Sequence, residues 1–159
     1  MIKCWLIIFL DFTKEENIFM TITNIIVCCR NEALDTVTAL RRQGTLVAWV
    51  HIGDYKSTPL IKRSTKTDLI LKFVDLSWSW SMKDDEDLFT KQQAQRLKRF
   101  LCNLHYNSTK PFVLVVNCNA GISRSPAVGE WCKKRFGVPV EFRSAAVYPN
   151  KRVLELLGK

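Results

Sequence analysis

The sequence is short of several things, and each shortage excludes a class. No apolar run approaches the roughly 20 residues that a membrane-spanning helix requires. Glycine (6) and proline (5) are too few for a linker-rich chain. There is no internal repeat, so a solenoid is excluded. The cysteines never fall in the C-x-x-C spacing of a zinc site. Neither a Walker-type phosphate loop nor a dinucleotide glycine motif occurs. What is present suits one packed core. The chain has 159 residues, 47% hydrophobic and 25% charged, which fits a single globular domain and argues against disorder.

Charge is unevenly spread. The net charge is +9, from 24 basic and 15 acidic residues. The acidic side chains cluster at Asp75, Asp84, Asp85, Glu86 and Asp87, whereas the stretch after residue 110 is basic. A basic balance favours anionic partners: phosphates, nucleic acid or a membrane surface. Arg41-Arg42, Lys62-Arg63 and Lys133-Lys134-Arg135 read mainly as solvated faces. The six cysteines lack the small, loop-rich setting of a disulfide scaffold. They read as reduced, mostly core thiols of a cytoplasmic protein. Met1–Leu10 is short and apolar, but acidic and basic residues follow it where a small-residue cleavage site would stand. Residues 1–19 are read as an extension of uncertain status, packed on the domain or preceding a start at Met20. The domain itself is expected over 20–159.

Strands are expected at Thr23–Cys29, Leu46–Ile52, Leu69–Phe73 and Phe112–Val116, the last central because it is the most continuously apolar. Helical spacing over Asn31–Arg42 puts Ala33, Leu34, Val37 and Leu40 on one face, ended by Gly44. Thr90 and Gln93 form a capping box for a helix that buries Ala94, Leu97, Leu101 and Leu104. Another helix begins near Ser125, with Pro126 in its first turn and Gly137 at its end. Asn150 caps a last one, with Val153, Leu154 and Leu157 facing inward. Ser57–Thr67 and Ser77–Asp87 read as loops, with Trp78 and Trp80 covering the core. Alternating strands and helices predict an α/β fold with a mainly parallel central sheet flanked by helices.

The chemistry lies in Asn117-Cys118-Asn119-Ala120-Gly121-Ile122-Ser123-Arg124-Ser125-Pro126. A short loop entering a helix points backbone N–H groups at one spot, and the helix dipole adds positive potential there. Gly121 lets the backbone curl close to a ligand. Arg124, separated from Cys118 by five residues, can meet two phosphate oxygens with its planar fork. The same field stabilises a negatively charged sulfur, the nucleophilic form of a cysteine. Ser125 can donate a hydrogen bond to that sulfur and ease its departure. His51 and His105 have no local signature of a Cys–His protease pair and read as surface or strand-end residues.

Cys118-x5-Arg124-Ser125 resembles the signature of the protein tyrosine phosphatase superfamily, most of all the small dual-specificity phosphatases of bacterial and phage type. Leu69–Asp75, the helix after Leu88-Phe89-Thr90, and Tyr148-Pro149-Asn150 resemble that family's flanking segments, so the likeness spans Thr23–Leu157. It implies Cys118 as nucleophile, residues Asn119 to Arg124 as the phosphate cradle, and Asp75 as general acid, with Asp84 and Asp85 as alternatives. It also implies no metal and no organic cofactor. The family usually has histidine where this chain has Asn117, which predicts slower turnover. The implied partner is a phosphorylated protein carrying phosphotyrosine, phosphoserine or phosphothreonine. RNA 5′-phosphates and phosphoinositides are alternatives suited to the basic charge. Nucleic acid is the less favoured partner, and a phosphate-binding module with little catalysis is the rival reading.

Overall fold

The apolar, β-branched runs of the sequence become parallel strands. In the computed structural model, which describes residues 21–76 and 87–159, these are β1 (Ile22–Cys29), β2 (Val47–Gly53), β3 (Asp68–Lys72), β4 (Phe112–Cys118) and β5 (Val140–Phe142). The helices are α1 (Arg30–Arg42), α2 (Lys91–Asn107), α3 (Arg124–Phe136) and α4 (Lys151–Gly158). The strands form one sheet in the order β3-β2-β4-β1-β5, and every adjacent pair is parallel. β4 is central, as its unbroken apolar run predicts. β5 was not foreseen, because three half-exposed residues after a helix carry too little pattern.

Strand alternation divides the core in two. Ile26, Cys28, Val47, Trp49 and Val115 face α1 and meet its Ala33 and Val37. Ile25, Val27, Val50, Leu114 and Val116 face the other way, against α2, α3 and α4. The predicted α2 face, Ala94, Leu97, Leu101 and Leu104, is buried, and the Thr90–Gln93 capping box forms in both directions. Each fully buried Leu contributes roughly 1.5–3 kcal/mol. α1 departs from expectation: Thr36 rather than Leu34 completes its buried set, and Leu34 is 51% exposed. α1 lies on one sheet face only, and Leu34 falls on the shoulder of its apolar stripe.

Cys28 and Cys132 are buried free thiols, and burial pushes Cys28 up to about 12 and Cys132 higher still. Both favour the inert protonated form of a core cysteine. The expectations for residues 1–19, Met20, Cys4, Trp78 and Trp80 fall outside the described residues.

A parallel sheet brings all strand carboxyl ends to one edge, where ligands of open α/β sheets bind. That edge gathers Cys29 and Arg30 after β1, Asp54 after β2, Phe73 and Asp75 after β3, and the Cys118–Arg124 loop after β4.

Candidate active site

Cys118 ends β4 and is 1% exposed, and the Ser125 hydroxyl donates to its Sγ at 3.1 Å. The loop between them turns back hard against β1. Gly121 has φ +73°, and a Cβ there would sit 2.7 Å from Cys29 N and 2.8 Å from the Cys28 carbonyl carbon. Only glycine meets both conditions. Three loop carbonyls are engaged from outside. Arg30 N–H donates to Asn119 O (3.0 Å), Tyr148 N–H to Ile122 O (2.8 Å) and Asn150 N–H to Ser123 O (3.1 Å). Ser123 stands at the N-cap of α3, but its side chain does not cap the helix; its hydroxyl donates to Asp75 Oδ1 at 2.7 Å. Asn119 and Ala120 form the exposed rim, and Ile122 and Ser123 are half-buried.

Arg124 is 3% exposed, and strand ends hold its guanidinium. Nη1 donates to Asp54 Oδ1 at 2.6 Å and to Phe73 O at 2.7 Å, and the group lies 6.0 Å over the Phe73 ring. Asp54 spans the site, because its other oxygen accepts from the Asn119 side-chain amide. Asp75 Oδ2 approaches Arg124 Nε at 3.8 Å, and that buried N–H has no hydrogen-bond partner among the described residues. Asp75 Oδ1 also accepts from Asn150 Nδ2 at 3.0 Å. The predicted set of Cys118, the Asn119–Arg124 loop, Ser125 and Asp75 is thus brought together. Asp84 and Asp85 lie outside the described residues. Asp54 was missed as a functional residue; in the sequence it only closes a strand, and no spacing ties it to Arg124.

A buried polar network lies beside Cys118. His51 on β2 and Asn117 on β4 are register partners, and both are 0% exposed. Trp49 Nε1 donates to Asn117 Oδ1 at 2.8 Å, His51 Nδ1 lies 3.2 Å from the same oxygen, and Arg30 Nη1 lies 3.5 Å from His51 Nε2. Burial, opposed in part by the Asn117 bond, lowers the His51 pKa below its ordinary value. His105 is buried too, stacked on Phe136 with ring centroids 4.4 Å apart, and burial lowers its pKa as well. Neither histidine is the surface or strand-end residue the sequence suggested. The available signal was a polar residue inside each apolar run, Trp49-Val50-His51-Ile52 and Val115-Val116-Asn117-Cys118.

Among the described residues, no group of three or more His, Cys, Asp and Glu is arranged to hold a metal ion, and no helix is long and apolar enough to cross a membrane. No protein-family model and no curated protein sequence matches the chain. Solved structures do, among them the following two. The PTP-2 phosphatase of Cydia pomonella superposes with a TM-score of 0.54 at 16% identity, over 83% of this chain and 83% of that one. The human tyrosine phosphatase-like serine/threonine/tyrosine-interacting protein gives 0.50 at 19% identity, over 82% of this chain and 85% of that one. Neither match bears on a bacterial or phage subtype. With Cys118 and Arg124 at the two ends of the loop after the central strand, the chain has the fold of the protein tyrosine phosphatase superfamily.

Proposed function

We propose that the protein is a cysteine-dependent phosphomonoester hydrolase acting on phosphorylated protein. One observation carries the reading: the Cys118 sulfur, with the Ser125 hydroxyl 3.1 Å away, shares the loop that enters α3 with the guanidinium of Arg124. A phosphoryl group over that sulfur meets Arg124 and the helix N-terminus, donors suited to its equatorial oxygens. In the first step the sulfur attacks phosphorus. The S–P bond forms, the bond to the leaving oxygen breaks, and Asp75 gives that oxygen a proton. In the second step water attacks phosphorus and Asp75 takes its proton. The S–P bond breaks, releasing phosphate, and Ser125 donates to the departing sulfur. The chemistry calls on no metal or organic cofactor.

A second reading is a phosphate-binding module with slow turnover. Its support is Asn117, which stands directly before Cys118 where the family this chain resembles usually has histidine and which cannot carry a charge beside the sulfur. The test is p-nitrophenyl phosphate hydrolysis, without metal and with reductant, for the wild type, Cys118→Ser, Arg124→Ala and Asp75→Ala. Wild-type turnover abolished by the first two substitutions and slowed by the third supports the hydrolase. Folded wild type that binds phosphate without turnover would replace it with the binding module.

A further inference from the structure

The hydrogen-bond chemistry around Asn117 has one solution. An indole N–H only donates, so the Asn117 atom facing Trp49 Nε1 at 2.8 Å is the amide oxygen. That oxygen is only an acceptor and also faces His51 Nδ1 at 3.2 Å, so Nδ1 carries the ring proton. Nε2 then holds the lone pair and is the acceptor facing Arg30 Nη1 at 3.5 Å.

Two donors therefore lock the side chain immediately before Cys118. The remaining group, Asn117 Nδ2, is a buried donor with no partner among the described residues. Such a group carries the desolvation penalty of a buried donor left unpaired. Apolar residues at 49, 51 and 117 together would continue both strands with no buried polar group left unpaired, so stability alone does not account for the network. Its position does. The network begins at Asn117, one residue from the nucleophile, and ends at Arg30, whose backbone N–H holds Asn119 O at 3.0 Å on the other side of the sulfur.

Resting on the phosphatase reading above, we infer that His51, as the neutral Nδ1–H tautomer, is a positioning residue that fixes the Cys118 loop through Asn117 and Arg30. It touches neither the sulfur nor a bound phosphate; it orients the strand end that presents one to the other.

The test uses two isosteres, a spectrum and a readout independent of phosphatase activity. Asparagine returns an amide N–H to the place of Nδ1, whereas glutamine returns one to the place of Nε2 but fills the ring's volume better. The rate of Cys118 alkylation by iodoacetamide is followed by peptide mass spectrometry, beside p-nitrophenyl phosphate kcat and KM. His51→Gln is expected to slow alkylation and kcat by about ten- to a hundredfold, the cost of a misplaced reacting group, with KM little moved. His51→Asn is expected to recover most of both rates. A packing role predicts the reverse order, with glutamine the better replacement, and that order would overturn the inference. The wild-type ring, read by long-range proton–nitrogen correlation, is expected to show the Nδ1–H tautomer; an Nε2–H ring overturns it even if both variants unfold. A wild type that alkylates at Cys118 but hydrolyses no phosphate ester would sink the phosphatase reading alone, because the alkylation order and the tautomer still decide the role of His51.

Discussion

The side-chain amide of Asn150 donates to Asp75 Oδ1 at 3.0 Å while its own oxygen accepts from Val153 N–H at 3.1 Å and caps α4. One residue thus starts a helix and holds the proposed general acid; its backbone N–H also engages the Cys118 loop at Ser123 O. The two roles separate by substitution. Asn150→Ser keeps a capping oxygen but cannot reach Asp75, so the thermal midpoint should move little while kcat falls. Asn150→Ala should lose both, with about 1 kcal/mol of stability going with the cap. Thermal unfolding and steady-state kinetics on the two variants check this, and equal kinetics for both would leave the stability difference as the only effect of the cap.

Gly121→Ala tests the close approach of the loop to β1. The methyl group would press on backbone atoms of Cys28 and Cys29 at 2.7–2.8 Å, in a backbone conformation that disfavours L side chains. Neither neighbour is the end of a flexible side chain, so the loop must shift. The expected result is a loss of about 1–3 kcal/mol, the range for a strained backbone position, with phosphate ester turnover reduced far more than the fold. Urea unfolding beside a single-turnover assay measures the two separately. Gly137→Ala is the control: it shares the positive φ (+69°) at the end of α3 but meets nothing within 4 Å. It should cost stability and spare turnover.

Asp54 bonds the guanidinium that the proposed mechanism gives to phosphate. Asp54→Asn removes a negative charge beside the cradle while keeping an oxygen for Arg124. At a partly exposed site such repulsion amounts to about 1–2 kcal/mol, which is roughly five- to thirtyfold in affinity. Inorganic phosphate should therefore bind the variant more tightly, measured by calorimetry or as a competitive inhibition constant. The gain should shrink as ionic strength rises, because screening weakens the repulsion being removed. Weaker phosphate binding by Asp54→Asn would instead mean that the carboxylate orients Arg124 more than it competes with the anion.

How far the sequence could be read depended on whether the information was local. The turn from β4 into α3 was legible because Cys118, Gly121, Arg124 and Ser125 lie within eight residues and each constrains the next. The Thr90–Gln93 capping box, the Asn150 cap and the helix stops were legible for the same reason. Asp75 was reached through resemblance of its segment. Asp54 and His51 were not legible as site residues, since each meets its partner across strands: Asp54 and Arg124 are 70 positions apart, and His51 and Asn117 are 66. Periodicity reports which face a residue takes, not which residue it meets there. A buried histidine and an exposed one read alike until the neighbouring strand is known.

The buried histidines give the fold a predictable pH response. Burial lowers the folded-state pKa of both His51 and His105. In the unfolded chain each returns to its ordinary value of about 6.5. Above that value neither state binds the proton, and their contribution to stability is complete. As pH falls below about 6.5 the unfolded state takes up protons that the folded rings refuse, so unfolding is favoured until pH passes the lowered folded values. The slope reaches at most about 1.4 kcal/mol per pH unit for each ring. Urea midpoints should therefore be flat from pH 8 to 7 and decline from 6.5 downward. His51→Asn, which cannot titrate, should remove one ring's share of the decline and leave that of His105. The reasoning turns on the sign: had either ring gained a carboxylate partner, its folded pKa would be raised and acid would stabilise the fold. Around His51 the charged groups that act on the ring are Arg30, Arg124 and Lys72, all cations that oppose its protonation. A midpoint that rises on acidification through this window would contradict the buried, neutral state from which the role of His51 is argued.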